Sequence, residues 1–561
     1  MFRSILGHRR KGVVVPILAV ALAVPTTLAL TGAFAASTPS AAKTTLLRQE
    51  AAQRLLKSPA ARYMTWPAQV ALHYQATGDR SFGQLPLTGS ASEAVLGGAA
   101  PATARPAAPS APSAHLPNVR VNNPGEDTHG VDQTTQSETA LAVHGSHVAV
   151  GYNDSQNTGL FFTAGSDLNG YSYSTNGGRT FTDGGALPNA PQFMNLGDPW
   201  MASDRSGAMY YSTLALDGFT GNLDVAVAKS TNGGKTWGAP VPVFRPPLTT
   251  FYSGDKDAMA IGRDPAVSTR DDIYVTYDDS EFNGLTGASF NGLPVAHSTD
   301  GGKHWKLKYA DKFIQPQSGC SFEQYIGATP LVTANGTLYV TAEQIAVNDP
   351  NCTGAPTTFS EWFFKSTDGG NTFSPGVKIA DITPSEPDGL LHLGPGKGAR
   401  TIEFPSPAVR GSTIYVAWND GTSGKSHIRL ATSADGGATW STKFVTGGTG
   451  EDVQPALSAN SSGLSLLYYH KNPNNTLDVL LGTSANGTSW STRRVNSVSF
   501  PGTLTIPQFD PIIATGYMGD YIANASVGSH LYFAWGDNRD KVKDFLYPKG
   551  RNDPDVFFAR K

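Results

Sequence analysis

A carboxylate stands ahead of each of seven strand-like stretches in this 561-residue chain: Glu138, Asp198, Asp255 with Asp257, Glu323, Glu403, Glu451 with Asp452, and Asp520. Carboxyls brought close together cannot all ionise cheaply, so some stay protonated, pair with a cation or bind a metal ion. One protonated carboxyl beside one charged carboxylate is the pair that glycoside hydrolysis uses, as proton donor and as base or nucleophile. The candidate catalytic set is therefore Glu138, Asp198, Asp255, Glu323, Glu403, Asp452 and Asp520. The same density of oxygen ligands would suit Ca2+, although no EF-hand-like loop is present and no other cofactor is implied. Lys256, Arg400 and Arg539 lie on the same stretches and are candidate ligand-binding residues, with Tyr517 as a fourth. The competing reading of each acid is local: it caps a turn or accepts hydrogen bonds from backbone amides.

The elements that must position these acids are strand pairs. Seven are legible, at 138–154, 199–215, 257–279, 329–344, 406–420, 455–471 and 520–539. Six are followed by a third strand ending in a short polar string: STNGGRTF from Ser174, STNGGKTW from Ser230, STDGGKHW from Ser298, STDGGNTF from Ser366, SADGGATW from Ser433 and the shorter SANGTSW from Ser484. Asp or Asn can accept from nearby backbone N–H groups, Gly supplies positive φ, and the aromatic packs the turn on its own sheet. Asn176, Asn232, Asp300, Asp368, Asp435 and Asn486 thus read as turn-formers, not catalysts.

This string resembles the Asp-box, the bacterial neuraminidase repeat Ser-x-Asp-x-Gly-x-x-Trp. Five copies keep its spacing, with Asn in place of Asp in two and Phe in place of Trp in two. The resemblance spans residues 117–561 and implies an all-β, sialidase-like β-propeller with the motif at the hairpin between the third and fourth strands of a blade. Seven strand pairs predict seven blades; six is the alternative if one pair is misread. The seventh unit ends at Lys561 without a fourth strand, and the segment 118–122, NVRVN, is positioned to supply it from the N-terminus. Closing the ring in this way removes exposed sheet edges. In a propeller the first strand of each blade lines the channel, so the seven acids would ring one mouth. Long loops at 154–170, 278–292 and 537–553 would share that face, where binding loops concentrate.

The resemblance also implies a first enzyme candidate, an exo-sialidase with three arginines on the substrate carboxylate, a Tyr nucleophile assisted by Glu, and an Asp acid/base. The Phe/Tyr-Arg-Ile-Pro string of that family is missing; the nearest match is Val119-Arg120-Val121-Asn122. No arginine spacing marks a triad. These departures favour a module that binds an extracellular glycan or protein, with an exo-acting glycoside hydrolase as the alternative.

The ends of the chain point outside the cell. Arg3–Lys11 is basic, an apolar run follows to Leu30, and Ala33-Phe34-Ala35 offers a cleavage site, so residues 1–35 read as a signal peptide. Its removal takes away four basic residues and no acid, moving the net charge from −3 to −7. That acidity argues against nucleic acid, and nucleotide-binding strings are absent. After signal cleavage no segment would hold the chain in a membrane. Residues 36–116 read as an Ala/Pro-rich propeptide or linker with a short helix over Ala41–Leu56. Two cysteines in an exported chain predict a Cys320–Cys352 disulfide.

Overall fold

A computed structural model describes residues 39–57, 61, 64, 66–78, 115–125, 135–155, 167–283, 286, 288–314, 320–385, 389–394, 398–502, 518–543 and 548–561. The predicted signal peptide and the Ala/Pro-rich stretch at 99–114 lie outside these residues. The described residues are all-β apart from two helices, α1 (Pro39–Lys57) and α2 (Trp66–Thr77). None of its described helices is long and apolar enough to cross a membrane.

Most of the described strands form seven antiparallel meanders of four. Their first strands are Gln136–His144, Trp200–Ser203, Thr250–Arg263, Phe322–Val332, Ser406–Arg410, Glu451–Asn460 and Ala523–Val527. Each first strand packs against the first strand of the next meander, and the seventh packs back against the first. The second and third meanders are also joined by one parallel pairing, Ser253 with Leu223. The seventh takes its fourth strand from the N-terminal side, where Val119 pairs with Phe558 and Arg120 with Phe557. Beyond it Val121 N donates to Val556 O (2.9 Å), and Asn122 donates to Asp555 Oδ1 (2.8 Å) while accepting from Val556 N.

The alternation of apolar residues puts large side chains between sheets, with Trp418 and Trp535 fully buried. A buried indole N–H needs an acceptor. Trp418 Nε1 finds Asp420 Oδ2 (3.2 Å) and Trp535 Nε1 finds Asp537 Oδ2 (2.9 Å). Each aspartate is then balanced by an arginine, Arg429 and Arg539 respectively. One interior device thus recurs in two meanders.

The six polar strings all join a third to a fourth strand. In five, the Ser hydroxyl donates to the Asp or Asn side chain and accepts from the second Gly N–H: Ser433 Oγ lies 2.8 Å from Asp435 Oδ1 and 2.9 Å from Gly437 N. Ser174, Ser230, Ser298 and Ser366 repeat the pattern. The short copy keeps only the bond from Gly487 N to Ser484 Oγ. The tight contacts of the glycine pairs are made on the preceding meander, beyond the turn's own sheet. A Cβ on Gly437 would meet Phe363 of the fourth meander at 2.1 Å, and one on Gly178 would meet Phe558 of the seventh at 2.2 Å. The string therefore joins neighbours as well as turning the chain.

Two predicted loops are mainly strand. The 278–292 hairpin continues the pairing of Asp271–Asn283 with Ser289–Ser298, and 537–553 continues that of His530–Val542 with Arg551–Arg560. Much of the predicted loop at 154–170 lies outside the described residues. The cysteines form the predicted disulfide, Cys320–Cys352.

The helix expected at Ala41–Leu56 is α1; α2 had no counterpart in the sequence reading. Both carry small apolar residues on a buried face, with Ala52, Ala68, Ala71 and Leu72 fully covered. They pack into the same core cluster as Phe251, Tyr252, Phe322 and Ile345. Arg48 donates to the carbonyls of Thr220 and Leu248 and to Asn222 Oδ1, and Gln75 to Gly221 O.

Candidate functional site

The register of the first strands decides where the predicted acids stand. In five meanders the pairing of the first strand slips by a bulge, or the strand begins, two residues after a left-handed position: Glu138, Asp198, Lys256, Gly327 and Gln454 have φ between 50° and 63°. The same register position holds Phe404 in the fifth meander and Tyr521 in the seventh. This ring is mixed: two acids, one lysine, one glycine, one glutamine and two aromatics. Of the candidate acids, only Glu138 and Asp198 occupy it. Asp255, Glu403 and Asp520 stand one residue earlier, Asp257 one later, Asp452 two earlier and Glu323 four earlier. The sequence pattern of one acid per unit therefore does not translate into one ring of acids.

Several of these carboxylates connect sheets, while both carboxyl oxygens of Asp198 and Asp257 accept no hydrogen bond among the described residues. Glu138 accepts from Asn153 Nδ2 (3.0 Å) and from Asp520 N of the seventh meander (2.9 Å). Asn153 Oδ1 accepts in turn from Asp198 N of the second meander (2.9 Å). Glu403 accepts from Ser385 N and from Asn419, whose Oδ1 accepts from Gln454 N. Gln454 Nε2 donates to Gly519 O (2.7 Å). The belt runs across sheet boundaries, and its members are almost all buried. Glu323 is the half-buried exception.

Electrostatics divide the acids into two groups. Burial pushes Asp257 and Glu403 up to about 7, and burial with the nearby Glu138 and Asp255 carboxylates raises Asp198 well above the usual range. Glu343 and Glu361, opposite each other on neighbouring strands beside Glu403, are raised for the same reasons. Asp452 goes the other way. Against the effect of burial, His427 Nδ1 (3.1 Å) and His470 Nδ1 (2.7 Å) hold its carboxyl below the usual range. Among the described residues no group of three or more His, Cys, Asp or Glu is arranged to hold a metal ion.

The candidate cations differ sharply in what they touch. Arg400 clamps Asp520 through Nε (2.9 Å) and Nη2, and its Nη1 donates to Met64 O between the two helices. The helical arm therefore lies against the acid-bearing end of the ring. Arg539 is spent inside the fold on Asp537, Asn118 and Ser497. Tyr517 lies outside the described residues. Lys256 Nζ is buried and makes no hydrogen bond among the described residues. It sits 3.5 Å from the centre of the Tyr521 ring, with Phe404 and Trp200 at 5.3 and 5.7 Å.

These aromatic residues border a cavity of 240 Å³ to which all seven first strands, or the residues leading into them, contribute. Its walls are small residues and prolines, among them Ala140, Ala258, Pro330 and Pro407. Sequence reading missed Trp200 and Phe404. Their signal was present but weak: each precedes its first paired strand residue by the same offset, or opens the strand, which only the observed register makes visible.

No protein-family model matches the chain, and no curated protein matches it. Solved structures do. A protein of unknown function from Dyadobacter fermentans is 13% identical over 79% of this chain and 98% of its own, with a TM-score of 0.39. The NanB sialidase of Streptococcus pneumoniae is 11% identical over 74% and 83%, with a TM-score of 0.39. The α-L-arabinofuranosidase Arb93A of Fusarium graminearum is 15% identical over 68% and 97%, with a TM-score of 0.37. No residue role is carried over from them.

Proposed function

We propose that this chain is an exported, seven-bladed β-propeller of the sialidase-like kind that binds an extracellular glycan and does not hydrolyse it. The cyclic packing of seven first strands, the N-terminal strand on the seventh sheet and the six Asp-box-like turns support the fold reading. The disulfide and the signal-like N-terminus support export. The acidic net charge supports a partner other than nucleic acid.

One observation carries the choice of binding over catalysis: Glu138, Glu403 and Asp520, three of the acids expected to do chemistry, are buried and already bonded inside the fold, the first two to backbone amides and the third to Arg400. A general acid must reach the glycosidic oxygen within hydrogen-bond distance. Carboxylates already committed to backbone amides inside the fold are poorly placed to do so. A specific observation favours the second reading, an exo-acting glycoside hydrolase. Asp257 and Glu403, raised to about 7, would be protonated at mildly acidic pH, as a proton donor must be.

A panel of fluorogenic glycosides, sialosides included, assayed at acid and neutral pH beside a glycan-binding array separates the two. The expected result is array binding without turnover. Turnover abolished by Asp257→Asn or Glu403→Gln in a folded protein would replace the binding reading with the hydrolase. Binding only to a protein surface would replace the glycan as partner.

A further inference from the structure

We propose that the central cavity is a binding site for a small monocarboxylate whose charge is met by the Lys256 ammonium. This goes beyond the glycan reading and does not depend on it, because the site rests on the Lys256 ammonium and the cavity alone.

The argument begins with an unsatisfied charge. Lys256 is 3% exposed, borders the cavity, and its Nζ has no hydrogen-bond partner among the described residues. A buried ammonium without a hydrogen-bond partner is costly, and contacts with ring faces do not supply the acceptors that its N–H groups lack. The Tyr521, Phe404 and Trp200 rings hold the ammonium in place without giving its three N–H groups an acceptor.

The carboxylates nearest to Lys256 do not relieve this. Asp255 Oδ1 accepts from the lysine's own backbone N–H (2.9 Å). Asp257 and Asp198 make no hydrogen bond to Lys256 Nζ among the described residues, and burial raises both carboxyls. Glu138 is occupied by Asn153 and Asp520.

The cavity selects the ligand class. A void of roughly 150 Å³ takes up benzene, so 240 Å³ has room for a ring or short chain bearing one carboxylate. One lysine offers one positive charge. Pro330, Pro405, Pro407 and Pro455 remove backbone N–H groups from the wall, so no nest of amides is available for a phosphate. Polar groups on the wall are already engaged: Thr139 Oγ1 on Ala534 O, Trp200 Nε1 on Met259 O, Tyr521 OH on Pro199 O. A flat monoanion with two acceptor oxygens fits what remains.

Calorimetric titration of the full chain in chloride-free buffer tests this, with butyrate, benzoate, galacturonate, sialate, chloride and phosphate as probes. Saturable binding of at least one carboxylate is expected, weakened at least ~10-fold by Lys256→Met. Ala258→Leu, which keeps the lysine and fills the cavity, should weaken it as much and stands in if the first variant fails to fold. Butyrate or benzoate as best ligand marks an apolar body, and galacturonate or sialate a sugar acid; both support the site. No saturable carboxylate binding, binding unchanged in both variants, or an equal response to chloride or phosphate overturns it.

Discussion

Asp435 and Gly437 show how much one turn residue can do here. The Thr439 hydroxyl and N–H and the Ser433 hydroxyl all point at Asp435, and hold its carboxyl well below the usual range. Two residues on, Gly437 needs φ of 92° and lies against Phe363. Gly411 has φ of 62° and nothing within 4 Å. Gly411→Ala should therefore lose only the backbone cost, about 1 kcal/mol. Gly437→Ala should lose a further ~1–3 kcal/mol from overpacking. Urea midpoints of the two variants check this, and equal losses would remove the claim that the turn glycines fasten neighbouring sheets. Buried acids give a second residue-scale prediction. Asp257, Asp279 and Glu403 are each raised by burial to about 7, from 3.8, 3.8 and 4.5. The folded chain then holds protons that the unfolded chain has released between pH 4 and 7. Stability from these groups is fully present below that window and is lost as pH rises through it, by up to about 1.4 kcal/mol per pH unit per group. The urea midpoint should be higher at pH 5 than at pH 7.5, and Asp279→Asn should flatten the slope. A midpoint that rises with pH would contradict it.

At the level of elements, the strands and the first helix were legible and the second helix was not. Alternating apolar residues and repeated turn strings have a local cause, so the strand pairs, the turns and the N-terminal partner of 551–560 could be read from sequence. Register is not local. The offset that places Lys256, Phe404 and Tyr521 together is set by bulges, and no composition signal marks them. That is why the acids looked like one ring when they stand at five different offsets. The second helix was hidden for another reason: its buried face is alanine-rich, with Ala68, Ala71 and Ala76 covered, so it shows little hydrophobic contrast. Ala71 is fully buried there. Ala71→Asp would bury an unpaired charge, at a cost of several kcal/mol. The arm should detach and become the first site of limited proteolysis while the strand signal in circular dichroism persists. An arm as resistant as in the parent would show that it does not depend on this face.

Across the whole molecule, the seventh meander is built from both ends of the described β-structure, so the integrity of the ring rests on a short segment. Val119 and Arg120 supply two pairings, Val121 is buried, and Asn122 makes two buried bonds to the strand that ends the chain. The first meander's turn then sits on Phe558 and Arg560, so the same strand is held from its outer side as well. Asn122→Ala removes both bonds and leaves Asp555 Oδ1 and Val556 N without their partner, at about 1–3 kcal/mol for each buried group left unsatisfied. Because first strands contact one another all the way round, that loss should not stay local. The prediction is a lower urea midpoint with a single transition, and faster amide exchange in 523–560 and in 136–154 together. Exchange confined to 551–560 would mean that the sheets unfold independently and that the closing strand is an ornament on one of them.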